Sequence, residues 1–146
     1  MSKLSDNLPK YAVLGVFALG ALAVGYNAFT SPSDAAPTVA VNIPAQFSQI
    51  ALAGAKEYEV NCASCHGANA SGTDQGPPLV HDIYNPGHHA DEAFYRAAKN
   101  GVPRHHWMFG DMPPQPQMNR LSMQAVIQYV RELQVANGIV YREHRM

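Results

Sequence analysis

Two cysteines and a histidine lie together near the middle of the chain. Cys62, Cys65 and His66 form the spacing C-x-x-C-H, which is the attachment sequence for c-type haem. The two thiols lie three residues apart on one helical turn, so both can form thioethers along the same porphyrin edge. The adjacent imidazole can then bind the iron as the proximal ligand. The motif therefore predicts one covalently bound haem c, held by Cys62 and Cys65, with His66 as an iron ligand.

Other uses of the same motif fit less well. A thioredoxin-like C-x-x-C pair needs a βαβ context, and none is visible. A structural zinc site needs four ligands; the chain has only two cysteines, so His81 and His88 would have to complete it from loops. A Cys62–Cys65 disulfide would be strained and would leave a loop-rich domain without a core. Haem attachment is the interpretation that we keep.

The elements that must position this motif are helices. Apolar residues recur at spacings of three and four over residues 45–61, which predicts a first helix. A second helix is predicted over 91–100, with Asp91 as its cap and Gly101 in the left-handed position after its end. Glycine and proline predict loops over the two segments that follow these helices, 67–86 and 103–117.

A last helix is predicted over residues 122–137, with Ser122 as its N-cap and Gly138 ending it. Its apolar face consists of Met123, Val126, Ile127, Val130 and Leu133. We find no convincing strand and no internal repeat. The prediction is an all-α fold of three or four helices with long loops, in which the haem supplies the missing core.

The composition indicates one small domain with an apolar appendage. Charged residues make up 14 % of the 146 residues, against about 25 % in average proteins. The formal net charge of −1 argues against a nucleic-acid partner, which usually requires a basic patch. Residues 11–29 carry no formal charge, and as a helix they would span roughly 28 Å, close to the thickness of the bilayer core.

The apolar segment predicts export of the domain that follows. Lys3 and Lys10 precede it, so the positive-inside rule leaves residues 1–10 in the cytoplasm. Residues 1–30 are thus predicted to be a membrane anchor inserted through 11–29, or else a secretory signal, and a cleaved signal would leave a soluble periplasmic protein. A Pro-containing linker is predicted over 31–44 and the haem domain over 45–146.

Landmarks in a fixed order resemble those of the class I c-type cytochromes, in particular small bacterial monohaem members with an N-terminal anchor. The resemblance covers about residues 54–133. Its landmarks besides the haem motif are Gly54 and Tyr58 in the first helix, Gly-Pro-x-Leu at 76–79, Met-Pro at 112–113, and Tyr129 with Leu133 in the last helix.

The resemblance implies further contacts with the cofactor. It implies that the Pro77 carbonyl accepts the N–H of His66, that Leu79 packs on the haem, and that Met112 is the second axial iron ligand. It also implies that Trp107 hydrogen-bonds a haem propionate, although simple packing of the indole is the alternative. Gly54 is expected to permit close crossing of the first and last helices.

Three other methionines compete with Met112 for the iron. Met108 lacks the following proline, Met118 could reach only if its loop shifts, and Met123 lies on the apolar face of the last helix. A thioether opposite histidine favours ferrous iron and raises the potential. It also occupies the position that a substrate would need, as an electron carrier requires.

Five further histidines lie between residues 81 and 106. They include two adjacent pairs, His88–His89 and His105–His106, which are outside the class I pattern. They could be loop residues or propionate contacts, they could form a second metal site for which copper is the natural candidate, or one of them could replace Met112 on the iron. Adjacent histidines usually point apart, which argues against chelation by both members of a pair.

These features predict an electron-transfer protein rather than an enzyme. The expected role is to carry single electrons between respiratory or photosynthetic complexes, from a quinol–cytochrome c reductase to a terminal oxidase or a similar acceptor. The expected location is the inner membrane, with the haem domain in the periplasm, and no small-molecule substrate is expected. The alternatives are an electron-accepting subunit of an exported dehydrogenase, a haem enzyme or gas sensor with an openable distal site, and a copper-handling protein.

Overall fold

The computed structural model describes residues 11, 13–17, 19–22 and 38–143. The chain forms two compact units, Met1–Asp34 and Ala35–Met146. In the first unit the described residues are helical and exposed. The predicted membrane span of residues 11–29 lies partly outside the described residues. Within the part of the chain that is described, no helix is long and apolar enough to cross a membrane.

The second unit is helical, as predicted. The described residues contain no strand, and their only β-type pairing is an isolated bridge between Val102 and Met112. Two 3-10 turns interrupt the first predicted loop. The helices are α1 (Gln49–Asn61), α2 (Ala63–His66), α3 (Asp91–Asn100) and α4 (Arg120–Ala136), and the 3-10 turns are Ala68–Ala70 and Asp82–Tyr84.

Two helices begin at residues other than those predicted, because other side chains cap them. The Ser48 hydroxyl accepts the N–H of Ala51, so α1 begins four residues later than predicted. The Asn119 side chain accepts the N–H groups of Leu121 and Ser122. Ser122 is therefore inside α4 instead of capping it, and α4 begins two residues earlier.

The start of α3 was predicted at the right residue for the wrong reason. Ala90 is at the N-cap and offers no capping side chain. Asp91 is the first helical residue, and its carboxylate accepts a hydrogen bond of 2.8 Å from the Arg131 guanidinium on α4. The carboxylate therefore ties α3 to α4. Gly101 follows α3 with a φ of +73°, which agrees with the expected positive φ.

The core lies where α1 crosses α4. A Cβ at Gly54 would be only 1.9 Å from the carbonyl oxygen of Ala125, so the expected close crossing is confirmed. The predicted apolar face of α4 is buried throughout. Tyr58 packs its ring on Tyr129 with centroids 5.5 Å apart, and its hydroxyl donates to the Gly67 carbonyl. The two helices form the frame behind the site.

Part of the predicted linker packs on the haem domain. The backbone N–H groups of Thr38 and Val39 both donate to the Ser71 carbonyl. Asn42 and Asn137 exchange two hydrogen bonds, of 2.8 and 2.9 Å. The segment from residue 38 therefore has fixed partners, which a simple tether would lack. Residues 31–37 of the predicted linker lie outside the described residues.

Candidate haem site

A cavity of about 440 Å³ opens between the loops and the helices of the second unit. All seven residues that the sequence assigned to the site line it. They are Cys62, Cys65, His66, Pro77, Leu79, Trp107 and Met112. We call residues 62–80 the proximal wall of this cavity and residues 101–118 the distal wall.

His66 is oriented by a backbone carbonyl. Its Nδ1 lies 2.9 Å from the Pro77 oxygen, so the contact implied by the family resemblance is present. A carbonyl can only accept, so Nδ1 carries the hydrogen and Nε2 keeps its lone pair. Burial lowers the pKa of His66, and the bond to Pro77 opposes this only in part. The position of the hydrogen on Nδ1 and the net lowering of the pKa both suit a neutral imidazole whose Nε2 is available to a metal.

Cys62 lies at the junction of α1 and α2, Cys65 lies within α2, and neither forms a disulfide. Burial raises the pKa of the Cys62 thiol to about 11, and the nearby Cys65 and Glu57 add to this shift. The wall around Cys62 therefore disfavours a thiolate. A thioether is uncharged in every state, so covalent attachment through this sulfur suits its environment.

The proximal wall is held by many short-range hydrogen bonds. The Thr73 hydroxyl donates to the Cys65 carbonyl at 2.6 Å and accepts the N–H of Gln75. The backbone N–H groups of Leu79 and Val80 both donate to the Ala70 carbonyl. Thr73 is fully buried. These bonds fix the segment that presents His66 and Pro77.

The distal wall presents Met112 through a two-way backbone pairing. Val102 and Met112 exchange N–H···O bonds of 2.9 Å in both directions. This approach needs a glycine beside it, because a Cβ at Gly101 would be 2.5 Å from the Met112 carbonyl oxygen. The N–H of Gln115 donates to the Ala98 carbonyl at the end of α3. Met112 is half-buried and lines the cavity.

The structure separates the competing methionines. Met108 is 84 % exposed and does not line the cavity. Met118 and Met123 do line it together with Met112, but Met123 is buried in a core cluster with Ala98 and Ile127. The assignment of Met112 to the iron stays a prediction, with Met118 as its remaining competitor on this wall.

Trp107 has a partner that the sequence did not suggest. Its indole N–H donates to the Tyr84 hydroxyl at 3.1 Å, and its ring meets His81 edge-on at 5.1 Å between centroids. The predicted propionate contact stays a prediction. Burial raises the pKa of Tyr84, and the bond from Trp107 lowers it in part. Tyr84 is a site residue that the sequence analysis missed.

A second missed feature is a polar pair on α4 that hydrogen-bonds the backbone of residues lining the cavity. Gln134 is fully buried, and its amide donates to the carbonyls of Leu79 and Tyr84. Arg131 donates to the Gln134 oxygen, to the Tyr84 carbonyl and to the His89 carbonyl. The pair stands at i and i+3 on an otherwise apolar face, and that interruption is the signal that could have revealed it.

The donor set and the shape of the cavity fit a covalently bound haem. Two cysteines that form no disulfide, an oriented neutral imidazole and a thioether face one cavity, whose lining is mostly apolar. These features define a c-type haem protein. The chain matches the Cytochrome c family over residues 51–134. It belongs to the cytochrome c family, whose members bind haem c covalently and generally transfer electrons. Neither curated proteins nor solved structures gave a match.

Proposed function

We propose that this protein is a membrane-anchored monohaem cytochrome c that carries single electrons between complexes of a respiratory or photosynthetic chain. The observation that carries the proposal is the convergence of His66 and Met112 on the cavity that also contains Cys62 and Cys65. If His66 and Met112 both held the iron, the chain would leave no open position on it for a substrate, which favours a carrier over a haem enzyme.

Haem c, when bound, supplies a one-electron iron couple. The residues of the chain set its properties. Nε2 of His66 would hold the iron from the proximal wall and the Met112 sulfur from the distal wall. A neutral thioether favours the ferrous state. Leu79 and Trp107 line the cavity, so both would pack against a haem bound there.

Transient docking would use the apolar tip of the distal wall. Met108 is 84 % exposed and Phe109 37 % exposed, and Pro113 is also exposed. The net charge of −1 offers little long-range steering. A membrane tether compensates for weak steering because it raises the effective concentration near membrane partners. The partners we propose are a quinol–cytochrome c reductase and a terminal oxidase.

The anchor and the location rest on residues 11–29. They carry no formal charge, and Lys3 and Lys10 precede them. Among the described apolar side chains of this segment, Leu14 and Phe17 are 63 % and 72 % exposed and Val13 is 55 % exposed, which is compatible with a lipid-facing helix. We expect the full chain to stay with inner membranes after a carbonate wash, with its haem domain accessible to protease added to the periplasmic side. Release by the wash would argue for a cleaved signal.

The decisive test of the carrier class is a visible spectrum of the reduced protein before and after carbon monoxide. We expect no change, because Met112 would occupy the position that carbon monoxide needs. Met112→Ala should bind carbon monoxide and show a lower reduction potential. Met108→Ala is the matched control, since Met108 lies outside the cavity, and it should behave like the parent.

Two results would contradict this proposal. A shift of the Soret band in the parent protein would indicate an openable distal site and favour a haem enzyme or gas sensor. An unchanged spectrum and potential in Met112→Ala would remove Met112 from the iron, and Met118→Leu would then be examined in the same way.

A further inference from the structure

Three histidines from two separate loops meet beside the cavity. Each of His88, His89 and His106 offers one ring nitrogen, and these three nitrogens all lie within 4.8 Å of one another. The rings of His88 and His89 have centroids 4.6 Å apart, and those of His89 and His106 are 5.4 Å apart. The expectation that adjacent histidines point apart is wrong for His88 and His89, because the turn at residues 85–88 directs both toward His106.

The closest pair of nitrogens has the spacing of two ligands on one tetrahedral ion. Nε2 of His88 lies 3.3 Å from Nε2 of His106. With Zn–N bonds of about 2.0–2.1 Å, two tetrahedral ligands are separated by about 3.3–3.4 Å. Neighbouring ligands at right angles, as in tetragonal copper(II) sites, would be closer, at about 2.8–2.9 Å. The hydrogen-bonded spacing of this pair is therefore close to that of two ligands on a tetrahedral zinc ion.

A hydrogen bond to a backbone carbonyl orients His89 for metal binding. Its Nδ1 lies 2.8 Å from the Ile83 carbonyl oxygen. Because the carbonyl only accepts, Nδ1 carries the hydrogen and Nε2 keeps the lone pair. A backbone carbonyl behind the imidazole is the usual outer partner of a histidine that binds zinc.

The backbone of the same loop is fixed from α4. Arg131 donates to the carbonyls of His89 and Tyr84 and forms an ion pair of 2.8 Å with Asp91. Its side chain is only 13 % exposed, so its bonds to the two carbonyls are partly shielded from water, whereas the Asp91 carboxylate is 62 % exposed. The loop that carries two of the three imidazoles is thus held in place before any ion binds, which lowers the entropic cost of binding.

We propose that His88, His89 and His106 form a site for a Zn²⁺ ion, distinct from His66 and Met112, the residues proposed to hold the iron. Three imidazoles bind the ion and the fourth tetrahedral position is left to water. The ion would join the loop after the Asp82–Tyr84 turn to the distal wall, since His106 belongs to the same segment as Met112.

The test is isothermal titration of Zn²⁺ into the full-length haem-loaded protein after dialysis against a chelator. We expect one ion per chain. His88→Gln and His106→Gln should each weaken binding by at least about tenfold, because losing even an outer partner of a zinc ligand typically costs 10–100-fold in affinity. The visible spectrum of each variant shows whether the haem domain has folded.

A histidine outside the cluster provides the matched control. Nδ1 of His81 accepts the N–H of Ile83, and an asparagine oxygen can take over that role. His81→Asn should therefore bind zinc within about twofold of the parent, well below the change expected for loss of a ligand.

Two outcomes would overturn the proposal. One is a titration without binding heat, confirmed by metal analysis that finds no zinc retained, which would leave His88 and His106 as a hydrogen-bonded pair. The other is retention of one tightly bound ion with unchanged affinity in both His88→Gln and His106→Gln, which would put the zinc elsewhere on the chain. Zinc-edge absorption spectroscopy on the parent should in addition show three imidazole ligands at about 2.0–2.1 Å.

Discussion

The two walls of the cavity are built in different ways. In the proximal wall, Ala70 and Thr73 are fully buried, and hydrogen bonds between near neighbours hold the segment that carries His66. In the distal wall, most residues from Pro103 to Pro114 are exposed. The Val102–Met112 pairing closes that wall on itself, one bond from Gln115 joins it to α3, and one bond from Trp107 joins it to Tyr84.

The difference shows where the function can be adjusted. The proximal wall is held by local bonds and by attachment to the cofactor, so it should tolerate little change. The distal wall is mostly exposed and is joined to the other elements by few hydrogen bonds, and such regions open at lower free energy than a core. Met112, the iron ligand proposed from this wall, therefore lies in the less secured of the two.

The largest expected effect comes from removing the covalent attachment. The double variant Cys62→Ala, Cys65→Ala should contain no haem that survives denaturation, because no thioether can form. A haem stain on a denaturing gel measures this. Ser64 lies between the two cysteines and is exposed. The control variant Ser64→Ala should therefore keep the haem stain. Haem that remains attached in the double variant would show that the proximal wall is not the attachment site.

Gly101→Ala should disturb the distal wall most. The new Cβ would be 2.5 Å from the Met112 carbonyl oxygen, at a φ of +73°. We expect the free energy of unfolding to fall by about 2–3 kcal/mol and the reduced protein to gain carbon monoxide binding.

Gly110→Ala is the control for Gly101→Ala. It also has a positive φ, but nothing lies within 4 Å of the added atom. It should lose only about 1 kcal/mol and should not bind carbon monoxide. Equal behaviour of the two variants would mean that the Val102–Met112 pairing does not hold the distal wall.

Thr73→Val tests the proximal wall by removing one hydroxyl with almost no change of shape. The Cys65 carbonyl would lose its bond from a fully buried donor, so we expect a loss of about 1–2 kcal/mol in denaturant unfolding. Thr38→Val removes a similar bond, to the Ser71 carbonyl, from an exposed residue and should cost less than half as much. Unlike Gly101→Ala, neither variant should bind carbon monoxide; if Thr73→Val did, the two walls would not be independent.

The smallest effect is expected at Glu132, which belongs to neither wall. Slight burial acts to raise the pKa of Glu132, but hydrogen bonds from Gln128 and Ser48 outweigh it and hold the pKa below the usual value of 4.5. The carboxylate therefore stabilises the fold above pH 4.5, and this contribution is lost as the pH falls through the lowered pKa. Glu132→Gln should cost less than about 0.5 kcal/mol at pH 7.

The pH series provides the check on Glu132→Gln. The difference in unfolding free energy from the parent should disappear near pH 3, with the haem spectrum unchanged at pH 7. A constant difference across the series would show that the charge of Glu132 does not contribute. An altered spectrum would mean that the frame and the walls are coupled.

Much of the fold could be predicted because helices leave a periodic signal. The apolar face of α4 and the bounds of α3 were predicted correctly, whereas the starts of α1 and α4 were not, since Ser48 and Asn119 competed with other plausible caps. Arg131 and Gln134 were missed because their partners are carbonyls in a loop about 50 residues earlier. No local sequence pattern shows which backbone carbonyls will need a hydrogen-bond donor from a distant part of the folded chain.

The sequence by itself determined the chemistry that needs only neighbours. Two cysteines and a histidine within one helical turn are enough to predict covalent haem, and the family match confirms it. Only the tertiary structure decided that Met108 lies outside the cavity while Met112 lines it, and that His88 meets His106 from 18 residues away. Those arrangements depend on how aperiodic loops close against the helices, and contacts between distant segments are decided by the packing of the whole domain.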